Sequence, residues 1–304
     1  MRIVSLLASG TEIVCALGAG DSLVGRSHEC DNPAWVLDLP QCSEPAFDIT
    51  VASREIDSEV TRRIRSGQPL YRIHNEVIRE LAPDLIISQA HCEVCAVTPE
   101  NLKASGCDTP AAQVLALTAG TLDGIFDGIR QIARALRRQD EGRALIHREQ
   151  ERLDAVRRRT AGLRRPSVVM IEWTDPIFPM GNWGPELVDI ANGNLLLGNR
   201  GQHSYAVGAE QLRTADPEYL IVAPCGFNLK RALQDQPILE GYPWWTELQA
   251  VRSGKVAFAD GNLFFNRSGM TVAHTAEIIA EILHSVTFEV PTEGSHWQWL
   301  KPRL

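Results

Sequence analysis

No run of about 18 apolar residues occurs in this chain, so no membrane-spanning helix is expected. Met1-Arg2-Ile3-Val4-Ser5-Leu6-Leu7 is only briefly apolar before Ser9, Gly10, Thr11 and Glu12 follow. That leaves no room for the apolar core and cleavage site of a secretory signal. The expectation is a cytoplasmic protein, or a periplasmic one if the true start lies upstream. A phosphate loop, a dinucleotide glycine fingerprint, a nucleophile elbow and a zincin helix are all missing, which weakens enzyme readings. Gly18-Ala19-Gly20 reads as a helix stop, because no helix opens after it. Net charge is −8 and the isoelectric point about 5.5, leaving no basic surface for nucleic acid or an anionic membrane. The run Arg157-Arg158-Arg159 with Arg164-Arg165 lies in a helical pattern and reads as a solvated face. Seven cysteines, an odd number, suit reduced thiols better than a disulfide framework.

What is present is an alternation of short apolar strands and helices, in 304 residues with 44% hydrophobic content, enough for two domains. Residues 3–7 read as a strand, and Ser9-Gly10-Thr11-Glu12 as a capping box opening a helix to about residue 17. Leu23-Val24-Gly25 begins a second strand. Helices are predicted over 53–66 and 75–81, leading into a strand over 84–89. From 121 to 163 there is no proline, and Ile125, Ile129, Ile132 and Leu136 recur at helical spacing. The segment 121–165 is therefore a long connecting helix, either one kinked helix or two broken at Gly142. After Pro166 the pattern restarts with a strand over 167–173 and a helix over 185–192. Residues 216–225 then echo residues 82–95: helix, Pro beside an acidic residue, apolar strand, loop with a cysteine. Glu76 and Glu210 each precede their proline by seven positions. The boundaries expected are a lobe over 1–120, the connector over 121–165, a second lobe over 166–290 and a tail over 291–304 holding Trp297 and Trp299.

Candidate ligands collect at predicted strand ends, where open α/β sheets place their sites. The strand Asp84-Leu85-Ile86-Ile87-Ser88-Gln89 runs into His91, Cys92, Glu93 and Cys95, and a second loop carries His28, Glu29, Cys30 and Asp31. Cys92 and Cys95 are spaced so that both thiolates can meet one metal, zinc or iron, but no second such pair completes a zinc signature. A redox dithiol is the alternative, although it wants a helix start at its first thiol, and the helix at Pro99 begins four residues after the second. Plain packing is the third reading. His28, Glu29 and Cys30 are adjacent, so at most two face one ion; a surface loop with Asp31 capping a turn is equally open. His91 is a ligand or a hydrogen-bonded loop histidine. In the second half, Trp173, Asp175 and Trp183 mark strand-end and helix-start positions suited to a flat ligand, with burial between the lobes an equally open reading. Phe264, Phe265 and Arg267 occupy the last strand-end loop, with Arg267 placed to clamp a carboxylate or phosphate. Gln89, His203 and Tyr205 are further ligand-binding candidates, His203 as an axial nitrogen for a metal chelate, with an exposed polar loop residue the stronger reading of it.

Arg2-Ile3-Val4-Ser5-Leu6 with Thr11-Glu12, Val24-Gly25, the two helix-Pro-acidic-strand units and the long helix between them resemble class III substrate-binding proteins of the cobalamin and iron-siderophore type, over residues 1 to about 285. The resemblance implies two Rossmann-like α/β lobes joined by a long helix, with cobalamin, another corrinoid or a metal chelate held between them. It also implies that Glu76 and Glu210 are the acids that dock an ABC transporter. The chain departs from the family in lacking an export signal and in offering thiols and imidazoles on one side of the cleft; aromatic rings (Trp173, Phe178, Trp183, Tyr205, Phe264, Phe265) remain on the other. A ligand-binding protein is the favoured reading. The alternative is a cytosolic zinc-type or dithiol redox enzyme on the same scaffold.

Overall fold

The computed structural model describes residues 1–90, 94, 96–107 and 112–300. The first lobe comprises β1 (Ile3–Ser5), α1 (Ala8–Ala16), β2 (Leu23–Arg26), β3 (Ser43–Pro45), α2 (Ser53–Ser66), β4 (Tyr71–Ile73), α3 (Asn75–Leu81), β5 (Leu85–Gln89), α4 (Pro99–Ala104) and β6 (Gln113–Leu117). Two helices follow, α5 (Leu122–Ala135) and α6 (Gln139–Thr160). The second lobe comprises β7 (Ser167–Thr174), β8 (Ile177–Pro179), α7 (Gly184–Ile190), β9 (Asn194–Leu195), α8 (Ala209–Ala215), β10 (Tyr219–Val222), the short helices α9 (Leu229–Ala232), α10 (Gln236–Glu240) and α11 (Gln249–Arg252), β11 (Val256–Ala259), α12 (Val272–His284) and β12 (Trp297–Trp299).

The two lobes repeat one topology. The first sheet runs β2-β1-β5-β6, all parallel. In the second, β9, β7, β10 and β11 are parallel neighbours in the corresponding order, with antiparallel β8 and β12 added. The sequence echo has a backbone cause. Both α3 and α8 end on a residue in the left-handed region, Ala82 (φ 40°) and Asp216 (φ 35°), and the proline that follows cannot continue a helix. The next strand, β5 or β10, is buried along its whole length. A strand covered on both faces by helices needs an unbroken apolar run.

The connector is two helices, and its break falls at residues 136–138, where Arg137 takes a φ of 56°. Gly142, the expected breaker, lies inside α6; a Cβ there would come within 2.6 Å of Ala133 Cβ. Its missing side chain lets α5 and α6 cross closely. One apolar core then runs continuously from Ile3 and Val14 through Ile129, Ile132, Leu145 and Leu153 to Met170, Leu187 and Ile279. Within the tail, Trp297–Trp299 form a sheet strand, with Trp297 buried and its Nε1 donating to Thr292 Oγ1 at 3.1 Å.

One excursion of the first half crosses over. Ile56 of α2 is buried in the second lobe's apolar cluster with Val169, Ile171 and Phe258, and Phe47, Val51 and Val60 pack against that cluster. Ser53 donates to Asp235, whose carboxylate also accepts from Thr174 and pairs with Arg231; Arg231 donates in turn to the Val51 carbonyl at 2.9 Å. Arg54 pairs with Asp175 at 2.8 Å.

Candidate functional site

Loops at the carboxyl ends of the parallel strands of both lobes converge on one cavity of about 90 Å³. From the first lobe come Leu7, Ala8 and Ser9 after β1, Glu29 after β2 and Gln89 at the end of β5. From the second come Glu172 of β7, the turn Met180-Gly181-Asn182-Trp183 before α7, Cys225 and Gly226 after β10, and Asn262, Asn266, Arg267 and Ser268 after β11. This is the strand-end geometry expected of an open α/β sheet, used once by each lobe.

A buried ionic network joins the lobes at the cavity wall. Arg267, with a side chain only 4% exposed, donates from one guanidinium nitrogen to Glu12 Oε1 at 2.9 Å and to Asp31 Oδ1 at 2.7 Å. Its other nitrogens are held by the Asn262 carbonyl at 3.0 Å and Asn262 Oδ1 at 3.1 Å. Asn262 Nδ2 donates to the second oxygen of Asp31 at 2.7 Å, and Asn32 Nδ2 to Glu12 Oε1 at 3.0 Å. The expected clamp for a ligand anion is thus already engaged by two of the protein's own carboxylates. Burial raises the pKa of Glu12 against the opposing pull of Arg267 and its hydrogen bonds. The capping box expected at Ser9–Glu12 is not formed. The helix starts at Ala8 with Leu7 as N-cap and no side-chain cap. Ser9 instead faces Ser268 Oγ at 3.5 Å, and a Cβ on Gly269 would come within 2.8 Å of Ser9 Cβ. Ser9 and Glu12 of α1 thus both meet the other lobe.

The residues singled out from sequence separate into three groups. Glu29, Gln89, Trp183 and Arg267 line the cavity. His28 sits beside it, ring against Tyr71 (5.5 Å between centroids) and Nδ1 3.4 Å from Ser43 Oγ. Burial lowers its pKa to about 4, so the imidazole is neutral at pH 7. The remaining residues lie elsewhere. Trp173 packs on Phe227, 5.3 Å between ring centroids, and donates from Nε1 to the Asp175 carbonyl, while Asp175 is tied to Arg54. Phe264 and Phe265 are core residues, with Phe264 beside the rings of His274 and His296. His203 and Tyr205 are exposed. Their loop supports the cavity wall through its neighbours: Asn182 N donates to the Gln202 carbonyl at 2.7 Å and Gly181 N to Ser204 Oγ at 2.8 Å.

Cys30 does not share an opening with His28 and Glu29. It is fully buried beneath α1, accepts from Thr11 Oγ1 at 3.0 Å, and lies 3.3 Å from Ser27 Oγ. Burial raises its pKa and keeps it a thiol. Among the described residues no three His, Cys, Asp or Glu side chains gather as a metal site. The candidates His91, Cys92 and Cys95 lie outside the described residues. Glu76 and Glu210 are exposed in the first turns of α3 and α8, at equivalent places in the two lobes, and Glu210 pairs with Arg213 at 2.7 Å.

Sequence reasoning passed over the uncharged polar wall: Ser9, Asn182, Asn262, Asn266 and Ser268. Asn182 carried a usable signal, since Gly181-Asn182 reads as a turn, and Asn182 holds a φ of 51° that Asn tolerates better than most residues.

Comparison with known proteins agrees with this architecture. A curated vitamin B12-binding protein of Vibrio parahaemolyticus is 24% identical over 257 residues, 84% of this chain and 79% of that protein. The solved periplasmic vitamin B12-binding protein of Vibrio cholerae superposes with a TM-score of 0.65 at 22% identity, covering 93% of this chain and 96% of its own. A periplasmic heme-binding protein of Pseudomonas aeruginosa superposes with a TM-score of 0.70 at 18% identity, covering 100% and 99%. The two superpositions establish the shared two-lobed fold, and since the family model described as periplasmic binding protein matches residues 3–263, this chain belongs to that family.

Proposed function

We propose that this chain binds a corrinoid or a related metal chelate, closing its two lobes over it as a non-catalytic carrier. The observation that carries the reading is a cavity built from strand-end loops of both lobes, in a chain aligned over 257 residues with a vitamin B12-binding protein. Ligand sites for drug-sized molecules run to about 300–1,000 Å³, against about 90 Å³ here. A macrocycle therefore needs the lobes to part before it enters. Trp183, in the wall, offers an indole face to the organic part of such a ligand. Glu76 and Glu210 are the proposed docking acids for a transporter, one on each lobe.

Calorimetric titration of the purified protein with cyanocobalamin and with hemin tests the reading. The expected result is saturable binding of at least one with a Kd of about 1 μM or tighter, near −8 kcal/mol. Trp183→Ala should weaken it by roughly ten-fold through lost ring contact. Absence of binding by both compounds overturns the proposal.

A further inference from the structure

The chain crosses from the first lobe to the second twice. One crossing leaves the β6 edge of the first sheet through α5 and α6. The other leaves the opposite edge, where Gln41 bridges to Arg26 of β2, and runs out from β3 over residues 46–70 before β4 returns it. The two meet opposite faces of the second sheet. Val168 and Met170 share a core with α5 and α6, whereas Val169 and Ile171 share one with Ile56, as alternate side chains of one strand must. The seat of α2 is built like an interior. Ser53 and Ile56 are buried, and Asp235, itself 2% exposed, would lose a hydrogen-bond donor away from water if Ser53 withdrew. Among the described residues, none of 46–69 belongs to an apolar cluster that holds the first lobe's core.

The feet of this excursion are different. Residues 48–50 and 64–69 are exposed, and Gly67, with a φ of 67°, has open space where a Cβ would project. Arg63 gathers both feet. Its guanidinium pairs with Glu59 at 2.7 Å, donates to the Pro69 carbonyl at 2.9 Å and the Ala46 carbonyl at 3.0 Å, and lies over the Phe47 ring. We propose that residues 46–70 are a strap between the lobes: α2 travels with the second lobe, the chain yields at its two feet, and Arg63 is the positioning residue that stiffens them. The seat is dry and the feet are wet, so a parting motion bends the exposed chain before it strips Ser53 and Ile56 from their partners. The shorter foot, 46–50, spans at most about 18 Å fully drawn out, which caps the parting of the lobes on the side away from the connector.

Pulsed electron paramagnetic resonance on the full chain tests the strap, with spin labels on an introduced ketone-bearing residue because the chain has seven cysteines. Exposed labelling sites are Glu55 on α2, Glu80 on the first lobe and Thr214 on the second. The 55–214 distance should be narrowly distributed and the 55–80 distance broader. Arg63→Ala, about two turns of helix away from Ile56, should broaden the 55–80 distribution further and leave 55–214 at its wild-type width. Hydrogen exchange should agree: in that variant amides over 54–62 exchange within about two-fold of wild type, while those over 46–50 and 67–70 exchange faster. A 55–214 distribution as broad as 55–80, or one that broadens with it in Arg63→Ala, places α2 on the first lobe and overturns the strap. Equal, narrow distributions in both proteins overturn the hinge at the feet. Faster exchange throughout α2 in Arg63→Ala makes the arginine part of the seat and overturns its role. Every readout is taken without ligand, so failure of chelate binding leaves the strap standing.

Discussion

Burial fixes the state of His28. With its side chain 14% exposed, its pKa falls to about 4, from an ordinary 6.5. The unfolded chain thus binds more protons than the folded one between pH 4 and 6.5, and stability rises with pH across that window. The neutral imidazole's contribution is complete above pH 6.5 and is lost as the pH falls toward 4. The shift corresponds to about 3 kcal/mol at most. Replacing His28 by Gln should flatten the profile: thermal unfolding at pH 4.5 and 7.5 should differ less in the variant than in wild type. An unchanged difference would show that another group carries the acid sensitivity. At this scale the sequence was only partly legible. The loops bearing His28, Glu29 and Gln89 were found because thiols, imidazoles and acids are conspicuous. Nothing local distinguishes Asn262 or Ser268, at the cavity, from any other loop residue, nor shows that Cys30 lies under a helix.

Elements were far more readable than sites. The bounds of α2, α3 and α12 follow from apolar periodicity, and the repeated unit of α3-β5 and α8-β10 follows from a left-handed helix end before proline. Glycine was misleading in α6. Helix propensity alone says that Gly142→Ala should stabilise by up to about 1 kcal/mol. The contact says the reverse, because the new methyl would sit 2.6 Å from Ala133 Cβ with backbone on both sides. The variant should melt below wild type, an overpacking cost of about 1–3 kcal/mol outweighing the propensity gain; a raised melting temperature would mean that α5 and α6 can move apart freely. The allegiance of α2 was equally hidden, since an amphipathic pattern says that a face is buried but not against what. Ile56→Ala should cost about 2–4 kcal/mol in urea unfolding. A companion change on the same helix, such as Glu55→Gln at an exposed position, should cost less than about 0.5 kcal/mol.

At the scale of the molecule, two polar ties join the lobes: Arg267 with Glu12 and Asp31 on one side, and the α2 segment with Asp235, Arg231 and Asp175 on the other. Neither is visible in sequence, because Glu12 and Arg267 are separated by 255 residues and no local pattern signals the pairing. The first tie is a buried one, so its energetics are asymmetric. Removing one partner strands a charge away from water and costs about 3–5 kcal/mol, whereas replacing the pair by apolar groups of similar size is often close to neutral. Arg267→Met alone leaves Glu12 buried without its cation and should lose stability of that order. Combining it with Glu12→Leu should restore most of the loss, since Asp31 is 37% exposed and can hydrate. Urea unfolding of the two single variants and the double measures the coupling directly. Small-angle scattering of the same proteins reads the lobes: Arg267→Met should raise the radius of gyration if the tie holds the cleft shut. A double variant as unstable as the single, with scattering identical to wild type throughout, would make Arg267 a packing residue of its own loop and leave closure to α2.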